Sequence, residues 1–309
     1  MNAIIEVIAP VFGIVLLGVV LARLKFFNAH TSDGLSAFMY YVAIPALLFK
    51  SLATTTLPED PPWAYFLAFY GPTIGAFCLG LGLARHVFGW ERASQGVCGM
   101  SSCYSNMVML GLPVVAAAYG QAATLPLFTL MAVQSSILFP LGTYTIEVYG
   151  GRTVGGQTNV VKAIGKLLVN PVIASLVLGV VVNLAHVTLP ATLSSILGSI
   201  AAAAPACALV SLGVSLAQYE LTGGLGEAVA MTIVKNVLHP LGVWGACLLL
   251  RIPADWTKVA VLVAAMPSGV NGYIFAKRYS LREAEISKTI VVSTIATAFV
   301  AAFIVHVMR

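Results

Sequence analysis

The chain has 309 residues, of which 59% are hydrophobic and only 9% charged, and it carries a net charge of +5. An ordinary soluble domain is about 45–50% apolar and about 25% charged, so this composition excludes a water-soluble fold. No room remains for a large soluble domain, and nucleic acid is not an expected partner.

A run of about 20 apolar residues spans the hydrocarbon core of a bilayer as a helix. Ten such runs are predicted, at residues 3–23, 35–56, 63–84, 94–119, 122–148, 165–186, 192–217, 226–250, 257–279 and 286–307. They are continuous rather than alternating, which predicts helices and not a barrel. The first run has no basic leader and is followed by the polar stretch from Arg23 to Asp33, so it reads as a retained helix. Cys78, Cys98, Cys103, Cys207 and Cys247 all fall inside predicted spans without metal-ligand spacing, and read as packing residues.

Eleven of the sixteen Lys and Arg residues sit after spans one, three, five and nine: Arg23, Lys25, Arg85, Arg92, Arg152, Lys162, Lys166, Lys277, Arg278, Arg282 and Lys288. The opposite side has Arg251, Lys258 and Arg309, and its loop after span two carries Glu59 and Asp60. The positive-inside rule therefore expects both termini outside and the connection from Gly150 to Lys166 in the cytoplasm, in a bacterial inner or plasma membrane. Trp63, Trp90 and Trp256 fall at span ends, where indole rings favour the interface.

The chain repeats itself. PVFGIVLLGVV at Pro10–Val20 shares six of eleven residues with PVIASLVLGVV at Pro171–Val181, and AIPALLFKSL at Ala43–Leu52 shares five of ten with AAPACALVSL at Ala203–Leu212. Both matches lie at an offset of 160 or 161 residues. Residues 1–160 and 161–309 are thus expected to be two five-helix repeats, and an odd number of spans inverts the second copy in the membrane. The expected fold class is all-α integral membrane, with broken, crossing helices four and nine.

Span four reads SSCYSNMVMLGLPVV and span nine VAAMPSGVNGYIF, both rich in helix breakers. Pro113 and Pro267 each remove a helical hydrogen bond, and Gly111, Gly269 and Gly272 loosen the same stretches. If the second half-helices begin near Pro113 and Pro267, their positive ends and the amides of Asn106 and Asn271 can hold an anion without a lysine. The competing reading makes both Asn residues interhelical glue. Gln134, with Ser135 and Ser136, could face the crossing or hold helices together. Lys235, about nine residues into span eight, needs a partner or a cavity, Lys50 reaches the surface, and His239 before Pro240 reads as a packed, hydrogen-bonded residue.

At these residues the chain resembles the auxin efflux carrier family, which includes plant PIN-type carriers and bacterial carriers assigned to malonate or malate. The resemblance rests on NMVMLGLPVV from Asn106, with Tyr119 and Gly120, and on KLLVNP at Lys166–Pro171, VSLGVSLA at Val210–Ala217 and VKNVLHP at Val234–Pro240. Its most specific element is AAMPSGVNGYIFAKRY at Ala264–Tyr279. The resemblance implies a scaffold of spans one, two, six and seven (residues 3–56 and 165–217). The other six spans (63–148 and 226–307) form a transport unit moving as an elevator. It also implies that spans four and nine cross, that Asn106 contacts the substrate carboxylate and that Ile44 lines the pocket from the scaffold side. Together with the helix breakers and polar residues read above, the expected substrate site is Asn106, Gly111, Pro113, Gln134, Pro267, Ser268, Gly269, Asn271, Ile44 and Lys235. A homodimer through the scaffold helices is expected, and no cofactor or metal. Asn271 and Gly272 stand where PIN-type carriers have an apolar residue and a second proline, which predicts a smaller, more hydrophilic acid than auxin.

Other classes fit less well. A sodium-coupled bile-acid-type symporter or a cation/proton exchanger calls for buried carboxylates, yet Glu6 and Glu147 lie near span ends and the other acids in or beside loops. For an intramembrane enzyme, Ser101, Ser102 and Ser268 lack a paired His, and there is no phosphate-binding loop for an ATP-driven pump.

Overall fold

In the computed structural model, residues 2–54, 62–151, 171–219 and 224–308 are described, and all their regular structure is helical. Lys162, Lys166, Arg152, Glu59 and Asp60, which carry much of the orientation argument, lie outside the described residues.

The chain divides into two compact units. One comprises Met1–Phe12, Pro62–Gly156 and Gln218–Arg309, the other Gly13–Pro61 and Gln157–Ala217. The second unit contains the second half of α1 (Asn2–Arg23), together with α2 (Ala29–Phe38), α3 (Ile44–Thr54), α8 (Pro171–Leu184) and α9 (Ala191–Gln218). Asn28 caps α2, its Oδ1 accepting from the Thr31 amide at 3.1 Å, which satisfies one of the donors a helix start leaves open. Gly18 of α1 and Gly213 of α9 let two backbones touch, since a Cβ on either would overlap the carbonyl of Val210 or Val15. Ser32 and Ser36 of α2 meet Ser211 of α9 through hydroxyl contacts of 3.1 and 2.6 Å.

The first unit holds α4 (Trp63–His86), α5 (Arg92–Cys103), α6 (Leu112–Tyr119), α7 (Thr124–Tyr144), α10 (Gly226–Ile233), α11 (His239–Leu249), α12 (Ala254–Ala264), α13 (Val270–Tyr279) and α14 (Glu283–Val307). Its largest core packs Phe77, Met100, Leu138, Met231, Val234, Phe275 and their neighbours. Trp90 belongs to that core instead of the expected interface. It is 3% exposed, its Nε1 donates to Glu227 Oε1 at 3.0 Å, and the Arg282 guanidinium lies 4.9 Å above its ring.

Among the described residues, six helices are long and apolar enough to cross a membrane: Ala29–Thr54, Trp63–His86, Gln121–Tyr149, Ala191–Gln218, Gly226–Leu249 and Glu283–Val307. Of the other four expected runs, span one coincides with α1, spans four and nine are interrupted helices, and the first residues of span six lie outside the described residues. Three of the continuous or half-helices contain a π turn ending two residues before a proline: Met39–Ala43 before Pro45, Met107–Gly111 before Pro113, and Val234–Leu238 before Pro240. A proline has no N–H for the carbonyl four residues back, and the slipped i→i+5 ladder takes up the mismatch without ending the helix.

Candidate functional site

Span four is interrupted where α5 ends at Cys103. Tyr104 is extended, Asn106 leaves the helical region, and the π turn Met107–Gly111 then leads into α6. Span nine is interrupted between Ala264 and Val270, with Gly269 extended. The two interruptions pair as a short antiparallel bridge between Ser105 and Ser268. Asn106 N donates to the Pro267 carbonyl at 3.0 Å, and Gly269 N donates to the Tyr104 carbonyl at 2.8 Å. Backbone groups freed inside apolar surroundings cost several kcal/mol each when unpaired. The crossing meets this requirement by pairing one break with the other.

The Ser105, Ala264 and Ala265 carbonyls find side-chain donors. Gln134 Nε2 of α7 donates to the Ser105 carbonyl at 3.1 Å. Lys235 Nζ donates to the Ala264 carbonyl at 2.5 Å, and Asn236 Nδ2 to the Ala265 carbonyl at 2.9 Å. Thr297 Oγ1 of α14 reaches the same Ala265 carbonyl at 3.1 Å, and Ser293 Oγ accepts from the Ser268 amide at 3.0 Å. Lys235 and Asn236 thus cap the C-terminal end of α12, where donors and positive charge suit the helix dipole.

Glycine is required where Tyr104 meets Gly269. A Cβ at Gly269 would stand 2.7 Å from Tyr104 Cδ1, and one at Gly272 the same distance from Ser101 Oγ. Gly111 lies against Asn106 and Met266, with 3.3–3.4 Å left for a Cβ. The Tyr104 hydroxyl meets Ser135 Oγ at 2.8 Å, with the side chains of Gln134 and Asn271 beside it.

Asn106 caps its own half-helix. Its Oδ1 accepts from the Met109 amide at 3.1 Å, while its Nδ2, in a residue 6% exposed, has no partner. The backbone donor at Met109 fixes the oxygen on that side, so the amide NH₂ is the group left over. The Ser105 and Ser268 hydroxyls are also buried without a partner. The helical segment from Met107 and the helix α13 both begin at the bridge, so both present their positive ends there.

The expected break points need one correction. The second half-helix of span four begins at Met107, not near Pro113, which sits at the start of α6 after the π turn and is buried. A proline is tolerated in a first helical turn, so it marks a slipped ladder here instead of a break. Pro267 does lie within an interruption. Asn106, Pro267, Ser268, Gly269 and Gln134 come together around the bridge, Asn271 joins them through Tyr104, and Gly111 packs against Met266. Lys235 is fully buried on the α12 end of the crossing, and Ile44 belongs to the other unit.

Sequence reasoning missed Tyr104, Ser105, Asn236, Ser293 and Thr297. The last three left a signal, since each is a polar residue in an apolar span. Ser105 left none for its place in the bridge, because that contribution is backbone.

The chain matches the Mem_trans family, described as membrane transport protein, over residues 3–305. It is 28% identical over 318 residues to a Rhizobium meliloti (strain 1021) protein named "Putative malonate transporter", covering all of this chain and 97% of that one. It is 23% identical over 339 residues to auxin efflux carrier component 8 of Arabidopsis thaliana, covering 93% and 92% of the two chains. A 218-residue stretch is 25% identical to the lysosomal cholesterol signaling protein of Mus musculus, covering 66% of this chain and 25% of the mouse protein. With its apolar helices and a match over nearly its whole length, this multi-pass membrane protein belongs to the Mem_trans family of membrane transporters, the auxin efflux carrier family.

Proposed function

We propose that the protein is a secondary transporter of small organic anions, carboxylates such as malonate or another dicarboxylate, bound at the crossing of the two interrupted helices. The observation that carries this reading is the unpartnered, buried Nδ2 of Asn106 beside two helix starts. A carboxylate would accept from that amide and from the helix-start N–H groups, while a cation would meet donors and positive dipole ends. The Ser105 and Ser268 hydroxyls add two buried groups able to donate. Similarity to the Rhizobium protein suggests the substrate class, and the polar Asn271 beside Tyr104 agrees with a small, hydrophilic acid.

The mechanism in this reading is alternating access by an elevator movement. Ten spans form two inverted repeats, and the unit that holds the crossing carries the substrate past the unit of α2, α3, α8 and α9. The division of the chain into two compact units, with every crossing residue in one of them, supports that assignment. In such carriers the site lies where the repeats interrupt their helices, near the bilayer midplane.

A thermal-shift screen of mono- and dicarboxylates on purified protein tests the reading. A bound ligand stabilises the folded state by RT ln(1 + [L]/Kd), about 2.7 kcal/mol at a hundredfold excess over Kd. Stabilisation by a small dicarboxylate that is absent in Asn106→Asp supports the reading. Stabilisation by no carboxylate, or equally in both proteins, contradicts it.

A further inference from the structure

Lys235 and His239 lie one turn apart across the π turn Val234–Leu238 and are 0% and 1% exposed. Their hydrogen bonds run in one direction. Thr73 Oγ1 of α4 donates its single hydrogen to the Phe69 carbonyl at 2.7 Å. Only its lone pairs are left for His239 Nε2, 2.9 Å away, so Nε2 carries a hydrogen and donates. That leaves His239 Nδ1 facing Lys235 Nζ at 3.5 Å. The space between the two nitrogens takes one hydrogen. Either an ammonium donates to the imidazole, or a neutral amine accepts from an imidazolium, and in both cases the pair carries one positive charge. Loss of one proton makes it neutral, with an amine N–H in the same contact.

Beyond the carbonyl end of α12, no carboxylate among the described residues is paired with that charge. The elements around the pair are α4, α5, α10, α12 and α14. Among the described residues, Cys103 of α5 is the titratable group of these helices that acts on Lys235 electrostatically, and its thiol is turned to the Met100 carbonyl. The carboxylates of these helices are engaged or terminal. Glu227 accepts from Trp90, Asp255 pairs with Lys258 at 2.7 Å, Glu285 approaches Arg282 at 3.8 Å, and Glu283 starts α14. Glu91, ahead of α5, accepts from Ser94. A buried charge without a counter-ion is unfavourable, and an anion nearby reverses that. Lys235 is bonded to Ala264, and the next residues, Ala265 to Gly269, form the crossing.

We propose that the Lys235–His239 pair takes up one proton together with the substrate carboxylate, so that transport is proton-coupled. This rests on the transport reading above. The proton enters from water on the loading side, sits between Nζ and Nδ1 while the anion occupies the crossing, and leaves on the release side, so no other reactant is needed. The anion favours the charged pair and the charged pair favours the anion by the same factor.

The test uses the purified full chain in liposomes with the membrane potential clamped at zero by potassium and valinomycin. External pH is held fixed and internal pH is varied, so the acid offered is the same ionic form throughout. Labelled malonate is followed in counterflow at equal pH and in net uptake against an imposed pH gradient, with a trapped pH dye counting protons. One proton per anion predicts about a tenfold change in accumulation per pH unit. His239→Gln and Lys235→Gln each lose gradient-driven accumulation and the dye signal when these are scaled to the counterflow that each variant retains. Accumulation by the unaltered protein that ignores the gradient overturns the coupling, as does an unaltered gradient response in both variants. Should either variant fail to fold, the proton count of the unaltered protein decides. No counterflow of malonate or of another small dicarboxylate by the unaltered protein overturns the transport reading itself, and the coupling with it.

Discussion

Asn106 and Pro267 are 161 positions apart in the chain and are joined by a backbone hydrogen bond of 3.0 Å, Asn106 N to Pro267 O. That bond ties the two helix interruptions together, so the side chain of Asn106 and the start of α13 take their positions from the same contact. A substitution that disturbs either interruption is therefore felt at both.

Asn106 has two functions that substitutions separate. Asn106→Ala removes the cap on Met109 and the free amide, at a cost of about 1 kcal/mol in stability and about ten- to hundredfold in anion affinity. Asn106→Asp retains a capping oxygen and loses the amide donor. It is expected to keep near-normal thermal stability in detergent while anion binding disappears. Full binding by the Asp variant would mean that Nδ2 makes no contact with the ligand.

Gly269 is expected to reject even one added methyl group. Gly269→Ala places a Cβ 2.7 Å from the Tyr104 ring, and overpacking of this kind costs about 1–3 kcal/mol. Gly71→Ala on α4, where a Cβ meets nothing within 4 Å, should be neutral or slightly stabilising. Comparing melting temperatures of the two variants checks the difference, and equal melting temperatures would remove close packing as the reason for glycine at 269.

The sequence revealed these interruptions only in part. Pro267, Asn106 and the glycines are visible as helix breakers in apolar runs, and they do converge. Pro113 misled, because the same residue that breaks a helix interior is accommodated at a helix start behind a π turn. The partner of Lys235 is a backbone carbonyl, which no residue letter records, and the Ser105–Ser268 bridge depends on backbone geometry from two distant segments. Trp90 reads as an interfacial indole until Glu227, distant in sequence, proves to accept its N–H.

Gln134 supports the crossing through its bond to the Ser105 carbonyl and lies beside the Tyr104 hydroxyl. Gln134→Leu removes that side-chain donor, at a cost of about 0.5–1.5 kcal/mol, while the carbonyl keeps the Met107 amide at 2.9 Å. The expected result is a lower melting temperature with weaker anion binding, and Gln134→Glu, which in its protonated form still offers a donor, should recover part of it. Unchanged stability in Gln134→Leu would show that the crossing does not depend on α7 for its shape.

The orientation expected from the basic residues puts position 162 in the cytoplasm and position 59 outside. Single-cysteine variants at these positions in a cysteine-free background should label from opposite faces with an impermeant maleimide. Labelling from one face would contradict two five-span repeats of opposite orientation.

The central claim is that the crossing recognises the charge of a carboxylate, and binding of an acid against its ester tests it most directly. Labelled malonate bound to the purified protein is challenged with unlabelled malonate and, separately, with its dimethyl ester. The ester preserves much of the shape and removes the charge-assisted hydrogen bonds to Asn106 and the helix starts. Displacement by malonate and none by the ester at the same concentration is the predicted result, and equal displacement by both would contradict it.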